Sequence, residues 1–429
     1  MLDVAVDMAA SSISKGIGRI KKNKKSTNQY VKDNFLENFW SIMDVKVRDE
    51  FLDTLKSNSS KHGYQYKRFA CSPIRYAGGK SLGVGHVLAL LPDVDRVVSP
   101  FFGGGSVEIA ISQKLGLEVI GYDIFDILVN YWQHQIAEPE LLYQELSKLQ
   151  PTQECYDRIK DRLEDHWDIT TKTFDGWFKA CRGFNRYKSY FKDNDEIINL
   201  QEQKKQTDDK KEKAKIQTEI KGLINKQKEV QQKWGKEEWS RKEKLSNLDL
   251  AVHYYFNFNL SYGPGFLGWA GKIYLNDKKY ASLLKDVREF KPRNLRVECA
   301  DFQEVFKKHP NDFFYCDPPY YIGEESKMFK GVYPMRNIPI HHNGFKHEIL
   351  AKLLNNHKGG FILSYNDCPQ VRNWYKNFEK DFHFPTWQYT MGQGETRIAE
   401  DGFRKETMGD AASHIKESHE ILIYCPPKL

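Results

Sequence analysis

The sequence predicts an α/β fold, a doubly wound and mostly parallel sheet with a helical, charged insertion in its middle. Three observations carry this. Short apolar runs rich in β-branched and aromatic residues recur, each bounded by turn residues. Segments with apolar residues spaced by three or four lie between them, the alternation a parallel sheet needs for its crossovers. One stretch, residues 194–247, drops the strand pattern and is dominated by Lys, Glu, Gln and Asp.

The elements follow in order. Lys15, Arg19, Lys21, Lys22, Lys24 and Lys25 make a basic start, which reads as a solvated leader or a basic arm touching phosphates. Phe35, Phe39, Ile42, Met43, Val47 and Phe51 then have the spacing of a packing helix. Arg96–Ser99 is a strand that ends in a Gly-rich turn, Phe101 to Gly105, and a helix begins at Ser106 with Gly105 or Ser106 as its cap. Glu118–Tyr122 is a second strand, closing at Asp123. In the insertion, Ile216, Ile220, Leu223 and Ile224 give a thin apolar stripe, so a long helix or helical hairpin is expected there. A solvated helix pair, a dimer seam and a DNA clamp are its candidate roles; the stripe is shorter than the three or four heptads a coiled coil requires. Strands follow at Leu295–Glu298, Phe313–Cys316, Phe361–Tyr365 and Ile421–Tyr424, with helices at His347–Leu354 and Gln370–Phe378 and a polar loop from Gly392 to Ser418.

Composition removes several classes of function. The chain has 429 residues, of which 40% are hydrophobic, enough for a sizeable core. There is no run of about 18 apolar residues to span a membrane and no secretory signal at the start. Seven cysteines without a CxxC pair suit reduced thiols and a cytoplasmic location, not a disulfide framework or a zinc site. His341 and His342 lack a Cys or acid at ligand spacing, so no metal is expected. The net charge of +7 permits a polyanionic partner.

Two tempting motifs fail. Gly79, Lys80 and Ser81 end like a phosphate-binding loop, but that spacing demands a glycine where Ile74 stands. Gly103, Gly104 and Gly105 resemble the dinucleotide fingerprint, whose third position here holds Glu108. The turn still offers close backbone approach to an adenosine-bearing ligand. Asp123 closes the next strand, about 20 residues on, where a carboxylate accepts from a ribose diol; a helix-capping role is the alternative. The most specific motif is Asp317-Pro318-Pro319-Tyr320, directly after the strand Phe313–Cys316. Two prolines fix the turn and supply no N–H donors, so Asp317 and the Pro318 carbonyl form an acceptor-rich edge with the Tyr320 ring beside it. That edge suits the two hydrogens of an exocyclic base amine.

These blocks together resemble the Dam-like class of N6-adenine DNA methyltransferases. Ser72 to Ser81 (SPIRYAGGKS) is similar to the family's N-terminal block, Pro100 to Ser106 (PFFGGGS) to its cofactor loop, and Tyr122-Asp123-Ile124 with Leu128-Val129-Asn130 to its ribose segment. Ala300-Asp301-Phe302 resembles the segment at the cofactor adenine, Asp317 to Tyr320 the catalytic tetrapeptide, Ser364 to Asp367 a later core motif and Glu420 to Tyr424 a terminal strand. The resemblance spans roughly residues 71–135 and 250–429. It implies a Rossmann-like methyltransferase sheet and S-adenosylmethionine as methyl donor. Tyr76, Ala77, Gly78 and Lys80 would face the donor's methionine end, with Lys80 on its carboxylate. Phe102, Gly103 and Gly105 would form the turn at the donor. Asp123 would hold the ribose, and Asp301 with Phe302 the adenine.

The resemblance also implies duplex DNA as substrate, with the target adenine flipped out, and methyl transfer at Asp317, Pro318, Pro319 and Tyr320. The division it suggests is a leader over 1–70, a catalytic domain from 71–135 and 273–429, and a target-recognition region over 136–272. Arg182, Arg186, Lys188, Lys272, Lys278 and Lys279 are candidate phosphate contacts, and Tyr254 to Gly271 resembles a DNA-facing segment in which Tyr255, Phe256 and Phe258 read as core. The family's usual Glu before Pro-Phe is Ser99 here, and the middle region is longer than usual. A restriction nuclease partner and a homodimer through the insertion are further expectations. Rival readings are an amino-methyltransferase acting on RNA or cytosine N4, and a non-catalytic DNA-binding or assembly protein on a methyltransferase scaffold.

Overall fold

The computed structural model describes residues 46–57, 65–76, 78–263, 265–321, 345–385, 388–389, 416–417 and 420–428. The basic leader, His341–His342 and most of the polar loop 392–418 lie outside them.

The apolar runs become strands β1 (Arg96–Ser99), β2 (Glu118–Asp123), β3 (Leu295–Cys299), β4 (Phe313–Cys316), β5 (Phe361–Asn366) and β9 (Glu420–Cys425). A short β6 (Phe382–His383) joins them, and β7 (Gln388–Tyr389) pairs with β8 (Lys416–Glu417) in a separate ribbon. Among the described residues the main sheet has seven strands in the order β3-β2-β1-β4-β5-β9-β6. The pairings from β3 through β5 are parallel, and β9 runs antiparallel to both its neighbours. The expectation of a doubly wound, mostly parallel sheet is met.

Both faces of the sheet are covered, because side chains alternate along each strand. Val97, Phe313, Tyr315, Ile362 and Leu422 enter one cluster with the helices Asp126–Ala137, Pro139–Ser147, Gln153–Thr171, Asn247–Leu260 and Asp277–Glu289. Val98, Phe314, Cys316, Leu363 and Ile423 enter the other, with Phe302–Lys308, His347–Asn356 and Pro369–Trp374. The helix at 46–55 packs Leu52 and Leu55 on the first cluster. Asn247–Leu260 is buried nearly all round, with His253, Asn257 and Asn259 among its apolar residues, and Tyr255, Phe256 and Phe258 are core as expected. Its Ser246 cap accepts from the Asp249 N–H at 3.1 Å.

The insertion is a helical hairpin, starting earlier than composition suggested. Lys188–Gln206 and Lys210–Glu229 lie side by side, and Asp209 caps the second through a 2.8 Å bond from the Lys211 N–H. The sequence stripe is answered within the hairpin: Ile216 and Ile220 are buried against Ile197 and Leu200. Its base has its own cluster, Trp177, Phe178, Tyr187 and Phe191. Lys242 anchors it to the body between Asp165 and Asp168, 3.1 Å from the latter. No helix among the described residues is long and apolar enough to cross a membrane.

Candidate active site

The strand order reverses between β1 and β4, which lie side by side. Each strand enters a different βα connection there, and the region beyond their carboxyl ends is where an open α/β sheet has its ligand crevice. The loop after β1 is the glycine turn, and the loop after β4 is Asp317 to Tyr320.

The turn is built on close contacts. Gly103 and Gly105 adopt φ values of +48° and +65°, in the region that Cβ-bearing residues avoid. A Cβ on Gly105 would come within 2.6 Å of the Phe102 ring, and one on Gly104 within 2.5 Å of Tyr76. The Trp132 indole N–H donates to the Gly103 carbonyl at 2.9 Å. Phe102 is buried, edge-on to Trp132, so it packs the turn and offers a ligand only its backbone. Asp123, at the end of β2, accepts from the Gly103 N–H at 3.0 Å and from the Phe125 N–H at 2.9 Å, one bond per oxygen. It therefore fixes the glycine turn and the bend that leads into the next helix, whose N-cap is Phe125, while lone pairs remain on both oxygens. Burial pushes its carboxyl up, against the backbone N–H groups that favour the ionised form.

Lys80 reaches the same crevice from the 72–81 block. That block is clamped by Arg75, whose N–H donates to Asn259 Oδ1 at 2.8 Å and whose guanidinium stacks on Tyr274 at 3.6 Å. Tyr76 stacks on Phe258 at 5.8 Å and Gly78 takes φ +77°. Ala77 lies outside the described residues. The Lys80 ammonium is 4% exposed and sits 2.8 Å from Asp317 Oδ1, 3.8 Å from Glu420 Oε2 and 4.7 Å over the Tyr320 ring. Burial opposes its charge, but Asp317 and then Glu420 outweigh that and hold the lysine up, protonated. Asp317 is pushed up by burial in spite of Lys80. The Tyr320 ring stacks on Tyr365 at 5.9 Å.

The remaining predicted residues stand on the same rim. Asp301 caps the helix Phe302–Lys308, accepting from the Gln303 N–H at 2.8 Å. Phe302 packs against Phe101 and Phe345, with ring centroids 5.6 and 5.3 Å away. The glycine turn, Asp123, Lys80, the tetrapeptide and Phe302 are thus gathered at one crevice. Two candidate phosphate contacts are otherwise engaged: Arg182 pairs with Asp195 at 2.7 Å and Arg186 with Glu238 at 2.7 Å. Lys188, Lys272, Lys278 and Lys279 are exposed.

Sequence reading missed the setting of two acids. Glu108, noted only as a fingerprint mismatch, accepts from the Ser99 hydroxyl at 2.6 Å in a fully buried site, and burial pushes it up to about 8. Glu420, read only as a strand residue, is buried beside Lys80 and pushed by burial up to about 7. Ser364 donates to Glu420 at 3.1 Å. The one available signal was an acid opening an apolar strand, Glu420 before Ile421 to Cys425.

Residues 76–391 match the D12 class N6 adenine-specific DNA methyltransferase family. The chain belongs to that family. It is an N6-adenine DNA methyltransferase, so DNA is its substrate and S-adenosylmethionine the methyl donor its family implies. No curated protein matches the chain. The crevice of this D12 methyltransferase fits that donor on its own terms: a side-chain-free backbone cradle, a carboxylate with spare acceptor capacity for a diol, and an aromatic cluster for a purine. No group of three or more His, Cys, Asp or Glu placed to hold a metal occurs among its described residues.

Proposed function

We propose that this methyltransferase acts on a flipped-out adenine in duplex DNA, with Asp317, Pro318, Pro319 and Tyr320 as the reaction site. The observation that carries the reading is the Lys80–Asp317 pair at the β1/β4 switch point, which links the glycine turn's side of the crevice to the tetrapeptide. The donor supplies an electrophilic methyl group when bound. Asp317 and the Pro318 carbonyl accept the two amino hydrogens of the target, so the nitrogen lone pair is freed from the ring and aimed outward. Tyr320 offers the base a flat apolar face. Tyr76, Ala77, Gly78 and Lys80 bound the donor's methionine end, Phe102, Gly103 and Gly105 its middle, Asp123 its ribose, and Asp301 with Phe302 its adenine. Preorganised acceptors and positioning carry the rate, with no covalent intermediate on the enzyme.

Target recognition belongs to residues 136–272. Tyr262 and Trp269, 77% and 80% exposed on the segment closed by the Tyr262 N–H to Trp269 carbonyl bond of 2.7 Å, support base contact there. The Ile216 and Ile220 stripe is covered inside the hairpin, which favours a solvated helix pair over a dimer seam.

The test is methyl transfer from labelled donor to duplex DNA. Asp317→Ala should lose transfer by at least about a thousandfold, within the range that positioned acceptors supply, while keeping donor affinity. Full activity in that variant would remove Asp317 from the reaction. Asp123→Ala should instead weaken the donor, read by calorimetry, and an unchanged affinity would contradict the ribose assignment.

A further inference from the structure

The crevice holds one more charged group than the reaction just described uses. Glu420 is 3% exposed and is the first residue of β9, opposite Asn366 at the end of β5. Because β9 is antiparallel, its amino end reaches the rim where the parallel strands have their carboxyl ends. Its Oε2 lies 3.8 Å from the Lys80 ammonium and accepts from the Ser364 hydroxyl at 3.1 Å. Ser364 Oγ is in turn 3.4 Å from the Tyr320 hydroxyl. The other oxygen, Oε1, is buried without a hydrogen-bond partner among the described residues. A buried carboxylate oxygen left unpartnered is costly. Asp317 already neutralises Lys80, so the ion pair alone does not explain a second acid here.

We infer that Glu420 is a positioning residue of methyl transfer: it holds Lys80 and, together with Ser364, Tyr320, and its carboxylate receives by way of Lys80 the proton that leaves the target amine. The inference rests on the assignment of Asp317 above. The proton balance closes with groups on the page. The methylated amine carries one proton too many; its N–H bond breaks and an O–H bond forms on Asp317. Lys80 gives a proton to Glu420 and takes the one on Asp317. The ammonium and the Asp317 carboxylate are restored, and the proton rests on Glu420. The titratable groups facing this path are Asp317, Lys80, Glu108, Tyr320 and Tyr315. Burial places Glu420 at about 7, where it can both take and release a proton near neutrality.

The experiment is the pH dependence of kcat on duplex DNA for the full chain. Wild type should show kcat rising as Glu420 ionises, a limb near pH 7. Glu420→Gln should lose roughly a hundredfold in kcat at neutral pH, the low end of a proton-transfer contribution, and lose or displace that limb, a loss well beyond any change in donor affinity. Glu420→Asp should recover the limb at reduced kcat, and Ser364→Ala should lower kcat while keeping it. These two variants carry the test if the Gln protein does not fold. A Glu420→Gln enzyme with wild-type kcat and limb overturns the inference. So does one whose loss is the same at every pH, since that is the mark of a structural role. Asp317→Asn separates the two layers: if it stays fully active the reaction-site assignment fails, and if it is inactive while Glu420→Gln is normal only the Glu420 inference fails.

Discussion

At the scale of single residues, the crevice is a set of positions whose chemistry depends on backbone geometry. Gly105 is an example: it is the cap of the helix Ser106–Ala110, in the left-handed region, with Phe102 where a Cβ would go. Gly105→Ala should therefore lower stability by about 1–2 kcal/mol for the left-handed conformation alone, and more for displacing the Phe102 ring. The check is the unfolding midpoint together with donor affinity, which should fall with it; a variant as stable and as tightly binding as wild type would contradict the cradle. The glycines and the tetrapeptide were legible in the sequence because each acts through its own backbone or its immediate neighbours. Glu420 and Glu108 were not, because each gains its meaning from a partner brought by the fold, Lys80 in one case and Ser99 in the other. Asp123 shows the intermediate case. The helix-capping alternative does not hold, since the next helix has Phe125 as its N-cap without a side-chain bond, and the two backbone bonds Asp123 accepts leave acceptor capacity for a ribose.

At the scale of elements, strands were the most readable parts. Apolar runs such as Phe313–Cys316 and Phe361–Asn366 matched to within a residue, since a strand buried on both faces needs a continuous apolar run. What could not be read was direction and neighbour: nothing within Glu420–Cys425 says that it runs antiparallel and inserts between β5 and β6. The insertion was legible as helix but not as a pair, because Ile197 and Leu200 sit too far apart from Ile216 and Ile220 in sequence for one stripe to reveal the other. Its clusters are separate from those of the sheet. Ile216→Asp, which buries a charge in the smaller cluster, should unfold the hairpin locally. Hydrogen exchange should then rise in residues 188–229 while the sheet stays protected and the donor still binds. Loss of donor binding would mean that the hairpin and the crevice are one cooperative unit.

At the scale of the whole molecule, the order β3-β2-β1-β4-β5-β9-β6 places the donor cradle and the reaction loop on adjacent strands, although more than 190 residues separate them in sequence. That distance is spanned by the helical middle of the chain, so the substrate-facing and donor-facing parts are held by one sheet edge. A chain of net charge +7 acting on DNA should bind duplex with a strong salt dependence, the logarithm of affinity falling by about 0.9 per phosphate neutralised for each log unit of salt. A flat dependence in a filter-binding titration would show that Lys and Arg contacts to phosphate do not contribute.

The reversed direction of β9 has a consequence for synthesis. Until residues 420–425 have left the ribosome, β5 lacks one of its neighbours and β6 lacks the main-sheet pairing it has among the described residues. Only when the stretch 420–425 emerges can that gap be zipped shut from both sides. Closure of this side of the sheet thus waits for β9, and products cut short before residue 420 would be left with an open seam that proteolysis can find.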